Sequence, residues 1–139
     1  EQLWYSARRQ GKILGRILAG ESVEYDEAVF FNSAKFFDLE YQTYGRVPAD
    51  TDNSVSWKSE TGERSVRLAL GPSGAVRGVN GLGVRLDHAR WARALRSRER
   101  AERIVDSIDD YLFNPEFDSG VARDIRIGLS SGLAVGETV

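Results

Sequence analysis

Apolar positions at the start of the chain recur at spacings of three and four: Leu3, Ala7, Gly11, Leu14 and Leu18. This is the stripe of an amphipathic helix whose other side carries Arg8, Arg9, Lys12 and Arg16. Gly20 supplies a stop just past its end. Gly11 and Gly15 lower helix propensity, so the pattern predicts a close backbone approach at that face. No capping residue precedes the helix, and an upstream segment is therefore expected.

From Val29 to Val47 the pattern changes to dense aromatics, Phe30, Phe31, Phe36, Phe37, Tyr41 and Tyr44, which favours strands. Residues 48–54 are a polar turn region. Val55-Ser56-Trp57-Lys58 and Ser65-Val66-Arg67-Leu68-Ala69-Leu70 then alternate with period two around a Thr61-Gly62 turn. Gly71-Pro72-Ser73-Gly74 marks a second turn, and 75–85 reads as the next strand. Strands in succession without intervening helices imply an antiparallel meander.

Asp87 is placed as an N-cap for a helix that starts with Trp91 and Leu95. Ala101, Ile104, Val105, Ile108 and Leu112 give a second apolar face, with Ser97 as its cap and Asn114-Pro115 as its end. The expected fold is α+β: an N-terminal helix, an antiparallel sheet of about four to five strands, and two helices. Residues 1–118 form the domain. Residues 119–139, rich in Gly and Ser, are expected as a loosely ordered tail with one short helix near 121–127.

Composition narrows the function classes. Hydrophobic residues at 41% and charged residues at 29% are ordinary globular values, and 139 residues suffice for one core. Nineteen basic residues against 21 acidic ones, a net charge of −2, provide no general attraction to nucleic acid or to an anionic membrane. Without cysteine there is no thiol nucleophile or thiolate metal site, and one histidine excludes His-rich zinc clusters. The absence of methionine predicts a chain that begins within a longer gene or has been processed. A water-soluble, cytoplasmic protein is the expectation.

Candidate chemistry is sparse. Gly78, Gly81 and Gly83 lack the strand-to-helix setting of a phosphate loop and read as strand glycines. The run Arg90, Arg93, Arg96, Arg98, Arg100 and Arg103 is interleaved with Glu99 and Glu102, and reads as a salt-bridged helix surface. His88 beside Asp87 has the chemistry of an acid–base pair, yet neighbours in a helix do not face each other. Asp38 and Glu40, at strand spacing, read as exposed sheet surface. In Phe30-Phe31-Asn32-Ser33-Ala34-Lys35-Phe36-Phe37-Asp38, rings flanked by an amide, a hydroxyl and an ammonium can wall a planar ligand or fill a core. Composition favours the core.

The segments Gln2-Leu3-Trp4-Tyr5-Ser6-Ala7-Arg8-Arg9-Gln10-Gly11 and Phe31-Asn32-Ser33-Ala34-Lys35-Phe36-Phe37-Asp38-Leu39-Glu40-Tyr41-Gln42-Thr43-Tyr44-Gly45 carry a resemblance. They are similar to the carboxy-terminal part of FAD-dependent, NAD(P)-linked oxidoreductases of the pyridine nucleotide-disulfide superfamily. The closer similarity is to the branch of ferredoxin reductases and apoptosis-inducing-factor-like flavoproteins. The match covers residues 2–45, and beyond them the order of elements to Phe117.

The resemblance implies the small interface domain that follows two nucleotide-binding domains. Its first helix runs toward the flavin and its aromatic strand covers the isoalloxazine ring. Gln2, Trp4, Phe31, Asn32, Ser33 and Lys35 then lie nearest the flavin. FAD and NAD(P) are implied for the full-length parent and neither for the isolated domain. The implied partners are the nucleotide-binding domains of the same chain and a second copy, with no nucleic acid and no membrane. The His-Pro-Thr-x-x-Glu segment of dithiol-type reductases is missing, and so is any Gly-x-Gly-x-x-Gly unit to build a pyrophosphate site. The chain alone is expected to be inactive, hydride transfer belonging to nicotinamide and flavin. Two other readings stay open: a stand-alone protein-interaction module without catalytic activity, and a nucleic-acid binder if the arginines cluster in space.

Overall fold

The structure, a computed structural model, describes residues 4–25, 28–50, 53–113 and 119–136. Helix α1 (Trp4–Leu18) is followed by strands β1 (Phe31–Phe36), β2 (Leu39–Gly45), β3 (Ser54–Lys58), β4 (Ser65–Leu70) and β5 (Val76–Leu82). Helices α2 (His88–Ser97) and α3 (Ala101–Asp106), a 3-10 turn (Ile108–Tyr111) and α4 (Ser119–Gly136) complete the order. The strands form one five-stranded sheet in the order β1-β2-β5-β4-β3, every pair antiparallel. The expected α+β class, leading helix and antiparallel sheet are all present.

Period-two alternation divides the sheet into two unlike faces, because cross-strand partners share a face and chain neighbours do not. Register aligns Phe31, Tyr44, Val79, Leu68 and Val55 in one apolar row across all five strands. One residue along each strand, the row is Asn32, Thr43, Asn80, Arg67 and Ser56, entirely polar. The apolar row joins Trp91, Ile104, Ile108, Ile125 and Leu129 from the helices to make the core. Trp91 is fully buried, and its indole N–H donates to the Tyr111 carbonyl at 3.0 Å, satisfying the only polar atom of that side chain.

Helix signals behave as expected at two points. The Asp87 carboxylate accepts from the Arg90 N–H at 2.8 Å and caps α2. Gly20, at φ +87°, closes α1 through the Gly20 N–H to Ile17 and Glu21 N–H to Arg16 carbonyls. Ser97 does not cap the next helix. Its hydroxyl turns back to the Ala94 carbonyl, while Arg98, left-handed at φ 53° and ψ 46°, ends α2. α3 then begins after Arg100 without a side-chain cap. The Asn114-Pro115 stop lies outside the described residues.

The tail requires correction. Residues 119–136 form an 18-residue helix whose Ala122, Ile125 and Leu129 are fully buried. Two of its glycines are packing devices: Gly128 sits against Trp57 and Gly132 against Val55, so the helix lies close on β3. Arg126 pairs with Asp109 and ties α4 to the 3-10 turn. The bare positions that suggest weak helix propensity are the ones that admit the neighbouring strand.

Helix α1 departs in the opposite sense. None of its described residues is buried, and among the described residues no backbone approaches Gly11 or Gly15. Tyr5 is the residue that meets the sheet, ring to ring with Phe31. Leu14, nine positions on, lies about 180° around the helix from Tyr5 at ~100° per residue, which turns the Ala7, Leu14 and Leu18 stripe away from the domain.

Candidate functional site

Between the first turn of α1, the segment entering β1, strand β2 and helix α2 lies a cleft of about 980 Å³. Phe31 stands at its corner as the hub of an aromatic cluster. Its ring stacks on Tyr44 with centroids 4.8 Å apart and meets His88 edge-on at 4.8 Å. Tyr5 lies 5.1 Å away on another side, and Trp4 packs edge-on against Tyr5 at 5.2 Å. These offset and edge geometries match the ring quadrupoles. They brace Phe31 on several sides while it still lines the cleft.

Tyr44 is buried to 1% exposure, and among the described residues its hydroxyl has no hydrogen-bond partner. Burial, with the charges of Asp87 and Glu40 nearby, pushes its phenol up to about 12. It is a neutral filler beneath Phe31 at ordinary pH.

The polar lining comes from rigid elements. Asn32, Thr43 and Asn80 stand in one cross-strand row on β1, β2 and β5. The Thr43 hydroxyl donates to Asn80 Oδ1 at 2.6 Å, which fixes the amide with its NH2 end outward. Arg46 is carried by a close chain crossing. Its N–H donates to the Arg77 carbonyl at 2.9 Å, where any Cβ on Gly78 would fall 2.6 Å from the Arg46 carbonyl. Gly78 is thus a strand glycine that admits a crossing backbone, as its sequence setting predicts. Arg9 reaches from α1 over the Tyr25 ring at 5.9 Å, and Arg96 enters from α2.

The residues expected nearest a flavin divide among different places. Gln2 lies outside the described residues. Trp4 stands 65% exposed at the outer end of the aromatic chain, with Arg8 over its ring at 5.3 Å. Trp4 and Phe31 are therefore neighbours through Tyr5, despite their separation in sequence. Phe31 and Asn32 line the cleft; Ser33 is half-buried on β1 and does not. Lys35 belongs to a smaller hollow of about 410 Å³ with Phe37, Asp38 and Arg85. There Glu40 accepts from Arg85 at 2.8 Å and pairs with Lys35 at 3.9 Å.

Residues not singled out for a site complete the cleft: Tyr5, Tyr25, Thr43, Arg46 and Asn80. Arg96 departs from its expected role. Arg100 and Arg103 do pair with Glu102 and Glu99, and the Arg100 hydrogen bond holds the Glu102 carboxyl below its ordinary range. Arg96 instead faces the cleft. His88 also lines it, as an edge against Phe31 and Tyr44, not as a partner of its cap neighbour Asp87. Among the described residues no cluster of acidic or histidine side chains is arranged to hold a metal ion.

No family model matches the chain, and no curated protein matches it. Solved structures do. The fold recurs in parts of two oxidoreductases. A FAD-dependent pyridine nucleotide-disulphide oxidoreductase from Desulfovibrio vulgaris is similar over 76% of this chain, with 24% identity and a TM-score of 0.56. A NAD-dependent persulfide reductase from A. fulgidus is similar over 72%, with 17% identity and a TM-score of 0.54. This chain spans 29% and 22% of their respective lengths. The first of these bears the name of the superfamily that residues 2–45 resemble. Among the described residues no helix is long and apolar enough to cross a membrane.

Proposed function

We propose that this chain acts as the carboxy-terminal domain of a flavoprotein oxidoreductase dependent on FAD and NAD(P), covering the flavin and performing no chemistry by itself. The observation that carries this reading is the fold, shared with portions of two oxidoreductases. The aromatic corner supports it: an exposed Trp4 and Tyr5 lead to a braced Phe31, with the Asn32 amide beside them. The flavin, when bound, supplies the ring that accepts hydride. The residues of this chain exclude water from that ring and fix its cover, with Tyr44 and His88 holding Phe31 in place.

The partners in this reading are the nucleotide-binding domains of the same chain and a second copy. Leu14, Ile17 and Leu18 on α1, all exposed, offer apolar surface for such contact. A stand-alone interaction module is the alternative, favoured by the exposed Phe36 and Phe37 at the β1–β2 turn. A gene that encodes these residues alone would decide for it.

The test uses the full-length gene product with its flavin. Trp4→Ala and Phe31→Leu should shift the visible flavin spectrum and slow reduction by NAD(P)H by about tenfold, ~1.4 kcal/mol in the barrier. Arg123→Gln, exposed on α4, is the control. An unchanged spectrum and rate in both aromatic variants would overturn the assignment.

A further inference from the structure

We infer that Gln42 is a positioning residue for the aromatic corner: with Glu40 it seats the segment 83–87, which sets His88 against Phe31 and Tyr44. Alternation puts Glu40, Gln42 and Tyr44 on one face of β2, the face that Phe31 and the core share. An apolar side chain is expected at position 42, between Ser33 of β1 and Gly81 of β5, yet an amide stands there. Its Oε1 accepts from the Leu86 N–H at 2.6 Å. Gly81 beside it leaves room for Leu86, whose Cδ1 would lie 3.0 Å from a Cβ placed there. Leu86 is buried, and a buried N–H needs an acceptor from the protein.

Three positions of β2 are matched in order by the chain that follows β5. The Glu40 carbonyl accepts from the Gly83 N–H at 2.7 Å, and its carboxylate accepts from Arg85 Nε at 2.8 Å. Gln42 holds Leu86, and the Tyr44 ring meets His88 at 5.5 Å. The outer side of the segment is bonded too: the Phe113 N–H donates to the Arg85 carbonyl at 3.0 Å, and the Asp87 N–H donates to the Tyr111 carbonyl at 2.9 Å. Segment 83–87 is thus fixed between β2 and residues 111–113. Asp87, the cap of α2, passes that position to His88, the first residue of the helix, which meets Phe31 edge-on at 4.8 Å. Lys35 and Arg85 are more than half exposed, so water competes for their pairs with Glu40, and the Gln42 bond is the firmer hold.

Only the functional consequence rests on the flavin-covering reading; the positioning itself is tested on this chain. His88 is the only histidine, so its ring protons give isolated NMR signals. The wild type should show nuclear Overhauser contacts from the His88 ring to Phe31 and Tyr44. Gln42→Met, of similar length without the amide oxygen, should lose them and move both His88 signals toward their free-histidine positions. Gln42→Glu keeps an acceptor oxygen at the same reach and should retain the contacts, as should Arg123→Gln. The Trp91 indole N–H, bonded to the Tyr111 carbonyl, should keep its signal in each, which shows that α2 stays in the core. If Gln42→Met does not fold, Gln42→Asn, which draws the acceptor back by one methylene, is the milder case, with partial loss expected. The inference is overturned if the His88 contacts and signals stay as in wild type in the folded variants that withdraw the acceptor, or if Gln42→Glu disturbs them as much as Gln42→Met. In the full-length flavoprotein, Gln42→Met should displace the visible flavin spectrum in the same direction as Phe31→Leu. A silent Gln42→Met beside an active Phe31→Leu would overturn the link from position 42 to the flavin cover. Silence in both overturns the flavin-covering role and leaves the positioning of His88 standing.

Discussion

Replacing Gly128 by Ala tests whether α4 is held on the sheet by direct contact of its glycines. A Cβ at this position falls 2.4 Å from Trp57 Cδ1 and 3.0 Å from both Trp57 Cβ and Cγ. Rotation of the indole cannot relieve all three contacts, because Cβ is fixed to the β3 backbone. The helix must lift or the strand must yield, at about 1–3 kcal/mol for overpacking a fitted contact. Against this, Ala in a helix interior gains about 1 kcal/mol over Gly. The net expectation is a loss of roughly 0–2 kcal/mol, centred near 1, or a Tm about 3–4 °C lower for a chain of this size. Gly120, with nothing within 4 Å of its Cβ position, provides the matched control: Gly120→Ala keeps the propensity gain and meets no obstacle. Urea unfolding followed by circular dichroism measures both. If Gly128→Ala is as stable as Gly120→Ala, the close contact between α4 and β3 is refuted.

Among the described residues the buried Tyr44 hydroxyl lacks a partner, so Tyr44→Phe should leave stability unchanged or raise it by up to about 1 kcal/mol. The folded-state value of about 12 lies above the ordinary 10, so stability contributed by the neutral phenol is full below pH 10 and is lost as pH rises toward 12. Urea midpoints at pH 9, 10 and 11 should fall less steeply in Tyr44→Phe, with Tyr111, also raised by burial and Glu99, accounting for part of what remains. Phe37 is held at φ 55° in the two-residue turn between Phe36 and Leu39 and is fully exposed. Phe37→Asn should therefore raise Tm by a few degrees, since Asn tolerates this left-handed conformation and no core contact is lost. The uncovered α1 stripe predicts a dimer by light scattering, and Leu14→Glu with Leu18→Glu should shift it to monomer. A wild-type monomer at high concentration would count against that pairing.

Strand alternation was legible wherever one face is buried, because a one-residue slip would exchange the Tyr44 row for the Thr43 row. Local hydrogen-bond chemistry was equally readable, since Asp87 and Gly20 act on backbone groups within a few residues of themselves. What composition obscured is contact at long range. Gly128 and Gly132 lower helix propensity in isolation, and only the position of β3 shows that they serve packing. The stripe of α1 has the same pattern as a core helix, yet nothing in its spacing says what covers it. Arg96 is hidden in a run of similar arginines, and its direction depends on where α2 ends, at a left-handed Arg98 that no pattern announces.

The cleft has its location for a reason set by the sheet itself. Helices α2, α3 and α4 close the apolar face, and α4 reaches across to β3 at one edge. The opposite edge, β1, is left to be finished by α1, whose Tyr5 ring meets Phe31 there. At that edge the apolar row ends in Phe31 and the polar row ends in Asn32, adjacent residues facing opposite sides of the same strand. A ligand or a neighbouring domain at β1 therefore meets ring surface and amide chemistry within one residue of each other, and Arg46 and Arg96 add positive charge on the side of α2. The edge strand is where the two faces of the sheet become accessible together, so ring and amide groups are gathered there.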